Sequence, residues 1–205
     1  MAIYDTGKYN IWGGATIVKA SYVCGYCGQK VTSNRGMALE YPDNINRGVN
    51  DKPYGVFVCT NCNLPTFIYD DVQVPGSNFG EEVNSAPKKV TEIYNEARKS
   101  YSTGAFTGVI LLCRVLLNHV AVSLGADDDK TFAFYVSYLT KNHYIPTGSS
   151  EWIDSIRKLG NTANHDLAIN TRAEAETIIK FCEMLLKITY EYPSTAQNLL
   201  NDSNR

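Results

Sequence analysis

The most apolar run of the chain, FTGVILLCRVLLNHVAVSL at residues 106–124, decides the fold of its second half. Apolar side chains recur there every three or four residues, which predicts a helix with one buried stripe. The run is followed by Gly125, a residue type that commonly stops helices. We expect this helix to lie at the centre of a bundle, with a stripe formed by Phe106, Val109, Ile110, Cys113, Leu116, Leu117, Val120 and Leu124.

Helical patterns also lie on both sides of this run. Pro193 and the mostly polar residues after it predict a frayed C-terminal tail. The other predicted helices cover residues 88–99, residues 130–142 capped by Asp127–Asp129, a stretch that begins at Ser149 or Ser150, and a long final helix capped by Thr171.

Upstream of Pro87 the pattern is that of strands. Residues 16–24 are rich in β-branched and aromatic residues, and residues 54–58 and 65–69 resemble a hairpin. Residues 31–53 contain Asn, Gly, Asp and Pro at short intervals, which predicts a long loop. Two prolines and two glycines within residues 72–87 mark a boundary between domains.

Composition limits the possible functions. The 205 residues are 44% hydrophobic and 20% charged, as in a globular protein with a real core. The net charge is -2, and neither half is basic, so broad nucleic-acid binding is not favoured and any such binding must use a local patch. The first residues lack a secretion-signal pattern, and no run appears apolar enough for a membrane span. These features predict a cytoplasmic protein without a membrane partner.

Four of the six cysteines form two close pairs, Cys24 with Cys27 and Cys59 with Cys62. Two CxxC turns supply the four thiolates that tetrahedral zinc prefers. Four sulfur ligands leave no position for an activated water, so we expect structural Zn²⁺. Free or disulfide-bonded cysteines are the alternative. Gly28 and Asn63, which follow the pairs, tolerate the left-handed conformation common in such turns.

The stretch SSEWIDSIRKLGNTANHD at residues 150–166 contains the main candidate for an active site. Arg157 suits a phosphate, and His165 can transfer a proton near neutral pH. Seven residues separate them, so on a continuous helix their α-carbons would lie about 12 Å apart along the axis. A bend at Gly160 would shorten that distance. The alternative is a junction at which Gly160 ends one helix and Asn161 caps the next.

Arg114 lies on the central helix between apolar residues, so we expect it to be partly buried and to need a partner. An internal salt bridge to Asp154 or Glu176 is one possibility and a bound anion is the other. His119 follows five residues later, which puts the two side chains about 140° apart around the helix, and we treat this spacing as accidental. His143 is expected to be a surface cap, and Cys113 and Cys182 to be buried as small apolar residues.

The two cysteine pairs, LLCRVLLNH at 111–119, IRKLGNTANHD at 156–166 and EAETIIKFCEMLL at 174–186 together resemble the domain of unknown function 4145. The likeness covers roughly residues 20–190, and its most specific part runs from Arg157 to His165. That family belongs to the HEPN superfamily of small helical bundles. Many HEPN proteins are dimeric, metal-independent ribonucleases found in toxin, antiviral-defence and RNA-processing systems.

This resemblance implies a chemistry for the motif. His165 would act as general base or acid for attack of an RNA 2′-hydroxyl on the adjacent phosphate. Arg157 would stabilise the charge of the transition state, and Asn161 would orient His165 or contact a phosphate oxygen. Arg114 and Asn118 would add substrate contacts. In this family an acidic residue is expected four positions after the central arginine, where this chain has Asn118.

We therefore predict an α+β protein with a small β zinc ribbon at residues 1–80, a HEPN-like α-helical bundle of about five helices at 81–192 and a polar tail at 193–205. The bundle is expected to form a homodimer, because its helices present more apolar surface than one bundle needs. Two functions remain open. One is an endoribonuclease, and the other is a catalytically silent module that binds a protein or nucleic-acid partner.

Overall fold

The computed structural model describes residues 12–39, 52–146, 148–165 and 169–203. The chain divides into two compact units, Met1–Asn78 and Phe79–Arg205. An antiparallel sheet forms the first unit and helices form the second. The predicted α+β class is therefore confirmed.

The first unit, called the sheet unit below, contains five strands in the spatial order β1-β2-β3-β4-β5, each antiparallel to its neighbours. Sequence neighbours are thus also spatial neighbours, and β1 and β5 are the edge strands. The strands are β1 (Ala15–Val23), β2 (Lys30–Ala38), β3 (Gly55–Val58), β4 (Pro65–Tyr69) and β5 (Val72–Val74).

The sequence-based prediction of a loop over residues 31–53 is wrong for β2, and the short strand β5 was not predicted. Gly36 was part of the loop signal, but it sits opposite Phe57 in the ladder. A Cβ there would collide with the carbonyl of Val56, so the strands require glycine at this position. The buried Ser33 donates a hydrogen bond to the carbonyl of Val58 at 2.6 Å, which satisfies a polar residue inside the sheet.

The second unit, called the helical unit below, has α1 (Lys88–Ser102), α2 (Phe106–Ser123), α3 (Phe132–Lys141), α4 (Ser150–His165), α5 (Arg172–Leu186), a π-helical segment (Lys187–Glu191) and α6 (Tyr192–Ser203). The described residues thus form six α-helices where about five were predicted. Thr171 caps α5 through a reciprocal capping box with Glu174, as the sequence indicated.

Two helix ends differ from the sequence-based predictions. Thr131, rather than Asp127–Asp129, caps α3 by accepting a hydrogen bond from the backbone N–H of Phe134 at 3.2 Å. The residues after Pro193 are helical rather than frayed. Proline lacks an N–H donor, and its ring crowds the carbonyl four residues earlier in a regular helix. The π-helical segment just before Pro193 widens the turn, with the N–H of Tyr192 bonded to the carbonyl of Lys187.

Helix α2 lies at the centre of the helical unit and contacts α1, α3, α4 and α5. Its predicted stripe is buried at Val109, Ile110, Cys113, Leu116, Leu117 and Val120. By length and composition alone α2 is apolar enough to cross a membrane, with a mean hydropathy of 1.7, so the prediction that no run reaches that level is wrong. A core helix passes the same test, and its packing against four other helices places α2 in that class.

A buried polar network ties the segment before α1 to the helical unit. Arg98 donates hydrogen bonds to the carbonyls of Phe79 and Gly80, at 3.2 and 2.9 Å. The carboxylate of Glu183 on α5 accepts a hydrogen bond from the backbone N–H of Glu81 at 2.9 Å. Arg98 and Glu183 are both buried, so these bonds satisfy charges that would otherwise be costly. Residues 79–81, predicted as part of a linker, are therefore an integral part of the helical unit.

Candidate functional site

The two cysteine pairs adopt the same local structure. In the first, the carbonyl of Cys24 accepts from the N–H of Gly28 at 2.8 Å, and in the second the carbonyl of Cys59 accepts from Asn63 at 3.0 Å. Gly28 and Asn63 both have positive φ angles, 71° and 58°, as predicted. Each turn follows a strand, β1 or β3, so the sheet brings the two pairs together.

The four sulfur atoms lie close enough to bind one ion. All are within 4.8 Å of one another, with 3.7 Å between Cys24 and Cys62 and 3.9 Å between Cys27 and Cys59. A tetrahedral ion with metal–sulfur bonds of about 2.3 Å would place its sulfurs about 3.8 Å apart, whereas a disulfide needs about 2.05 Å. The geometry therefore fits a four-thiolate metal site, and all four cysteines are free rather than disulfide-bonded in this structure.

The surroundings of the sulfurs also suit a metal. The backbone N–H of Asn61 points at Cys59 Sγ at 3.4 Å, an arrangement that stabilises a bound thiolate. Burial acts to raise the pKa of Cys27, but hydrogen bonds from Asn61, the backbone and the neighbouring cysteines lower it to about 7. Burial raises the pKa of Cys24. A divalent cation would compensate the charge of four clustered thiolates.

In the helical unit, Arg157 is held by two neighbours. Its Nη1 lies 3.1 Å from Asp154 Oδ1 on the same helix, and its Nη2 donates to Ser137 Oγ on α3 at 3.1 Å. Ser137 in turn donates to the carbonyl of Ala133 at 2.8 Å. Both terminal nitrogens of Arg157 are therefore engaged, Nη1 with a residue of α4 itself and Nη2 with a residue of α3.

Helix α4 runs without interruption from Ser150 to His165. Neither the bend at Gly160 nor the junction at which Gly160 ends one helix and Asn161 starts another is present. A glycine within a helix costs only about 1 kcal/mol relative to alanine, and the buried Ile153, Ile156 and Leu159 hold the helix against its neighbours. Along a continuous helix, Arg157 and His165 are separated by about 12 Å.

The predicted roles of Asn161 and His165 concern side chains outside the described part of the structure, so their catalytic assignment stays a prediction. The backbone shows that α4 is a continuous helix and that Arg157 and His165 are eight residues apart along it. A single phosphate cannot easily contact both residues of one chain at that separation.

Arg114 has neither of its two predicted salt-bridge partners. Asp154 pairs with Arg157, and Glu176 accepts a hydrogen bond from the hydroxyl of Tyr101. Instead, the guanidinium of Arg114 lies 5.1 Å from the ring centre of Phe132, and burial lowers its pKa. Its Nη1 is buried without a hydrogen-bond partner among the described residues.

Asn118 lies one helical turn beyond Arg114 and likewise has a buried, unpaired Oδ1 among the described residues. With His119 and Tyr135 it lines an open pocket of about 300 Å³ between α2 and the start of α3. Asp128, Asp129 and Lys130 complete the lining together with Val122. Arg114 and Asn118 therefore lie one turn apart on the same face of α2, and of the two only Asn118 lines the pocket.

The remaining candidates have structural roles. His143 has a positive φ of 63° and ends α3, where the N–H of Tyr144 bonds to the carbonyl of Leu139 at 3.0 Å. The predicted surface cap is thus confirmed. Cys113 and Cys182 are completely buried in the apolar core, as expected for cysteines that act as small apolar residues.

Comparison with known proteins assigns a family to most of the helical unit. Residues 95–202 match the family model described as a domain of unknown function (DUF4145), which covers more than half of the chain. The chain belongs to the DUF4145 family. No curated protein and no solved structure matches it.

The DUF4145 match begins within α1 and ends within α6. The resemblance seen in the sequence extended over residues 20–190 and included the cysteine pairs, but the match leaves them outside. The DUF4145 helices hold Arg114, Asn118 and Arg157, so the candidate arginines belong to the family region and the cysteine cluster does not.

The sequence did not indicate that Ser137, on another helix of the DUF4145 region, accepts a hydrogen bond from the candidate residue Arg157. The Asp154–Arg157 pair has the i,i+3 spacing typical of helical ion pairs and was available from the sequence. Ser137 carries no such signal, because its role depends on how α3 packs against α4.

Proposed function

We propose that the protein is a catalytically silent, HEPN-like module that binds a protein partner and assembles as a homodimer in the cytoplasm. The observation that carries this proposal is the state of Arg157. Asp154 and Ser137 occupy both terminal nitrogens of its guanidinium, on a helix that continues unbroken to His165. These contacts use two of the five N–H donors of the guanidinium. The bond to Ser137 stabilises the packing of α4 on α3, so Arg157 has a structural role that requires no phosphate.

Charge supports a protein partner over a nucleic acid. The net charge is -2, and Asp128 and Asp129 line the pocket that contains His119. A binder of nucleic acid gains most of its affinity from phosphate contacts made by clustered cations. A mixed or acidic surface favours a polypeptide instead.

The outer face of α2 supports self-association. Leu111 and Val115 are exposed, although they lie one turn apart on the most apolar helix of the chain. Adjacent exposed apolar side chains on a core helix are typical of a surface that is covered by another subunit. A twofold axis at this face would bury both residues against their copies.

We also propose that the sheet unit is a zinc ribbon. Four thiolates in tetrahedral spacing are the ligand set that zinc prefers, and no ligand position remains for water. The ion stabilises a unit whose core is too small to hold alone. Cys24, Cys27, Cys59 and Cys62 would carry this structural role.

A metal-independent endoribonuclease, for example a defence or toxin effector, is the second candidate. Two observations favour it: the Arg157 side chain is 34% exposed, and Arg114 keeps an unpaired guanidinium nitrogen beside Asn118. In that case Arg157 would exchange Asp154 for an RNA phosphate and His165 would move the proton. The two residues would have to come from different subunits, since 12 Å separates them along one helix.

Incubation of the purified protein with mixed-sequence RNA in EDTA distinguishes the silent binding module from the ribonuclease. We expect no cleavage above that of His165→Ala, with Arg157→Lys as a charge-preserving control. Cleavage by the wild type that His165→Ala abolishes would establish the ribonuclease and refute the proposal.

Light scattering after size-exclusion chromatography tests the assembly. We expect a dimer for the wild type and a monomer for Leu111→Lys/Val115→Lys. Ile169→Lys is the matched control, because Ile169 is an apolar residue already 93% exposed elsewhere in the helical unit. A monomeric wild type, or a double variant that stays dimeric, would contradict assembly through α2.

A further inference from the structure

One face of the sheet unit is apolar but exposed. The ladder registers Met37 with Val56, Val56 with Phe67, and Phe67 with Val74. Paired residues in neighbouring strands point to the same side of a sheet. These four side chains therefore form one row across β2, β3, β4 and β5. Met37 is 68% exposed and Val74 is 58% exposed, so the row is open to solvent.

A second row lies beside the first. Tyr69 pairs with Val72, and each lies two residues from a member of the first row on its strand, so both point to the same face. Tyr54 stacks on Tyr69 with ring centres 4.7 Å apart. Val72 is 53% exposed. The opposite face, which includes Phe57, packs into the core around the cysteines.

The dimensions of the two rows fit one α-helix. Four strands spaced by about 4.8 Å give a row about 14 Å long, and positions two residues apart lie about 7 Å apart along a strand. An amphipathic helix presents apolar side chains about 5–6 Å apart along a stripe of similar width. A helix of two to three turns laid across the strands would therefore place one side chain against each strand.

The charges beside these rows are mainly acidic. Asp70 and Asp71 form the turn between β4 and β5, both are exposed, and Asp70 accepts a hydrogen bond from Tyr54. One cation, Lys52, lies 5.6 Å from the ring centre of Tyr54. Two carboxylates at the end of an apolar strip repel phosphates and attract cationic side chains. The face is complementary to a basic polypeptide rather than to a nucleic acid.

We propose that this face of the sheet unit binds an amphipathic α-helix of a protein partner, with apolar residues along its stripe and Lys or Arg residues beside it. The helix packs on Met37, Phe67, Val72 and Val74, and its basic residues approach Asp71. This inference rests on the proposed role in binding a protein, and it locates that partner on the sheet unit rather than on the DUF4145 helices.

A designed peptide tests the proposal with the full-length, metal-loaded protein. The probe is a fluorescent 14-residue helix with leucines at i, i+3, i+4 and i+7 spacing and lysines elsewhere. Val72→Thr/Val74→Thr keeps side-chain volume and strand preference but removes apolar character from the face. Val18→Thr/Val23→Thr is the matched control, since both valines are exposed on β1, the opposite edge strand.

We expect the peptide to bind the wild type and the β1 control with affinities within about twofold, and the β5 variant to bind at least about tenfold more weakly, a loss of about 1.4 kcal/mol. Glutamates in place of the lysines should weaken binding to the wild type, and Asp71→Asn should reduce that difference. Metal content and circular dichroism of both double variants should match the wild type.

No peptide binding, or equal binding by the β5 variant, would overturn the proposal. Binding of a single-stranded oligonucleotide that the β5 valines control would assign the face to a nucleic acid instead. Self-association that only the β5 variant abolishes would assign it to a second copy. RNA cleavage with intact peptide binding would refute the proposed function alone, whereas failure of the peptide with no RNA cleavage would refute this inference alone.

Discussion

The sheet unit and the helical unit bury very different amounts of apolar surface. Among the described residues, the core of the sheet unit has six buried members, two of them cysteines of the metal site. The core of the helical unit has twenty-seven, drawn from all of α1 to α5. A small core rarely stabilises a domain alone, so we expect the sheet unit to depend on a metal bound by its four clustered cysteines, whereas the helical unit depends on packing.

The two units also differ in the apolar residues that they expose. The sheet unit buries apolar residues around the cysteines on one face and exposes Met37, Phe67 and Val74 on the other, the face that we propose binds a partner. The helical unit buries most of its large apolar residues, and the described ones that it leaves exposed include Leu111 and Val115 on α2, Ile169, and Leu199 and Leu200 on α6. The following experiments test the contrast, from the largest expected effect to the smallest.

Loss of one metal ligand should unfold the sheet unit and spare the helices. We expect Cys59→Ser to reduce bound metal from about one ion per chain to almost none, because structural zinc contributes about 10–16 kcal/mol in small zinc-binding peptides. Metal analysis and two-dimensional NMR would measure this. Cys113→Ser is the matched control: it should keep the metal and destabilise only the helical unit. A folded sheet unit in metal-free protein would show that the sheet unit does not need metal for its stability.

A cavity in the helical core should have the opposite effect. Ile156 is completely buried on α4, and Ile156→Ala should lower the free energy of unfolding of the helical unit by about 2–5 kcal/mol. Helical circular dichroism during urea denaturation reports this change, while metal content should not change. Ile169→Ala, at an exposed site, should cost less than about 0.5 kcal/mol. Equal effects of the two variants would show that α4 is not packed as described.

The helical unit should also respond to acid through Glu183. Burial acts to raise its pKa, but the N–H of Glu81 together with Lys180 and Lys187 lowers it below the usual 4.5. A depressed folded pKa means that the stabilisation is complete above about pH 4.5 and is lost as the pH falls through the folded pKa. The carboxylate therefore stabilises the unit at neutral pH.

We expect Glu183→Gln to cost about 2 kcal/mol at pH 7, because hydrogen bonds to a charged group are lost. The cost should shrink as the pH falls below 4.5, which denaturation at several pH values would show. Glu92→Gln is the control, since Glu92 forms only an exposed pair with Lys88 at 3.9 Å and should change stability by less than about 0.5 kcal/mol. A pH-independent loss in Glu183→Gln would rule out the carboxylate as its cause.

The smallest effect is expected in the first cysteine turn. Gly28 has φ of 71° with open space around it, so Gly28→Ala should cost about 1 kcal/mol through backbone strain alone. Competition with a chelator should show metal affinity reduced by up to about tenfold. Gly13→Ala, at another open glycine without a positive φ, should change nothing. A neutral Gly28→Ala would show that the turn does not need the left-handed conformation.

Much of the architecture follows from local patterns. The stripe of α2, the capping box at Thr171 and the two CxxC turns are encoded within a few residues, because helix periodicity, capping and metal-ligand spacing are local properties. Strand β2 was missed for the opposite reason. In the sequence Gly36 indicates a loop. In the structure it lies within a strand, where the carbonyl of Val56 on the next strand leaves no room for a side chain.

The candidate active site shows the same limit. The sequence indicated Arg157, Asn161 and His165 as a motif. Its spacing implied that Arg157 and His165 of one chain could contact the same phosphate only if the helix bends at Gly160. Whether the helix bends depends on the packing of Ile153, Ile156 and Leu159 against other helices. The partner of Arg157 likewise depends on Ser137, which lies 20 residues away in the sequence.

The sequence by itself indicated the four-cysteine cluster, the central helix, the α+β class and the likeness to the DUF4145 family, whose model matches residues 95–202. Only the tertiary structure decided that Arg157 contacts Ser137 on another helix, that Arg114 lacks both expected carboxylates, and that Met37, Val56, Phe67 and Val74 form one apolar row. The physical reason is range: periodicity and ligand spacing act within a few residues, whereas ion-pair choice and the composition of a sheet face depend on residues that meet only after folding.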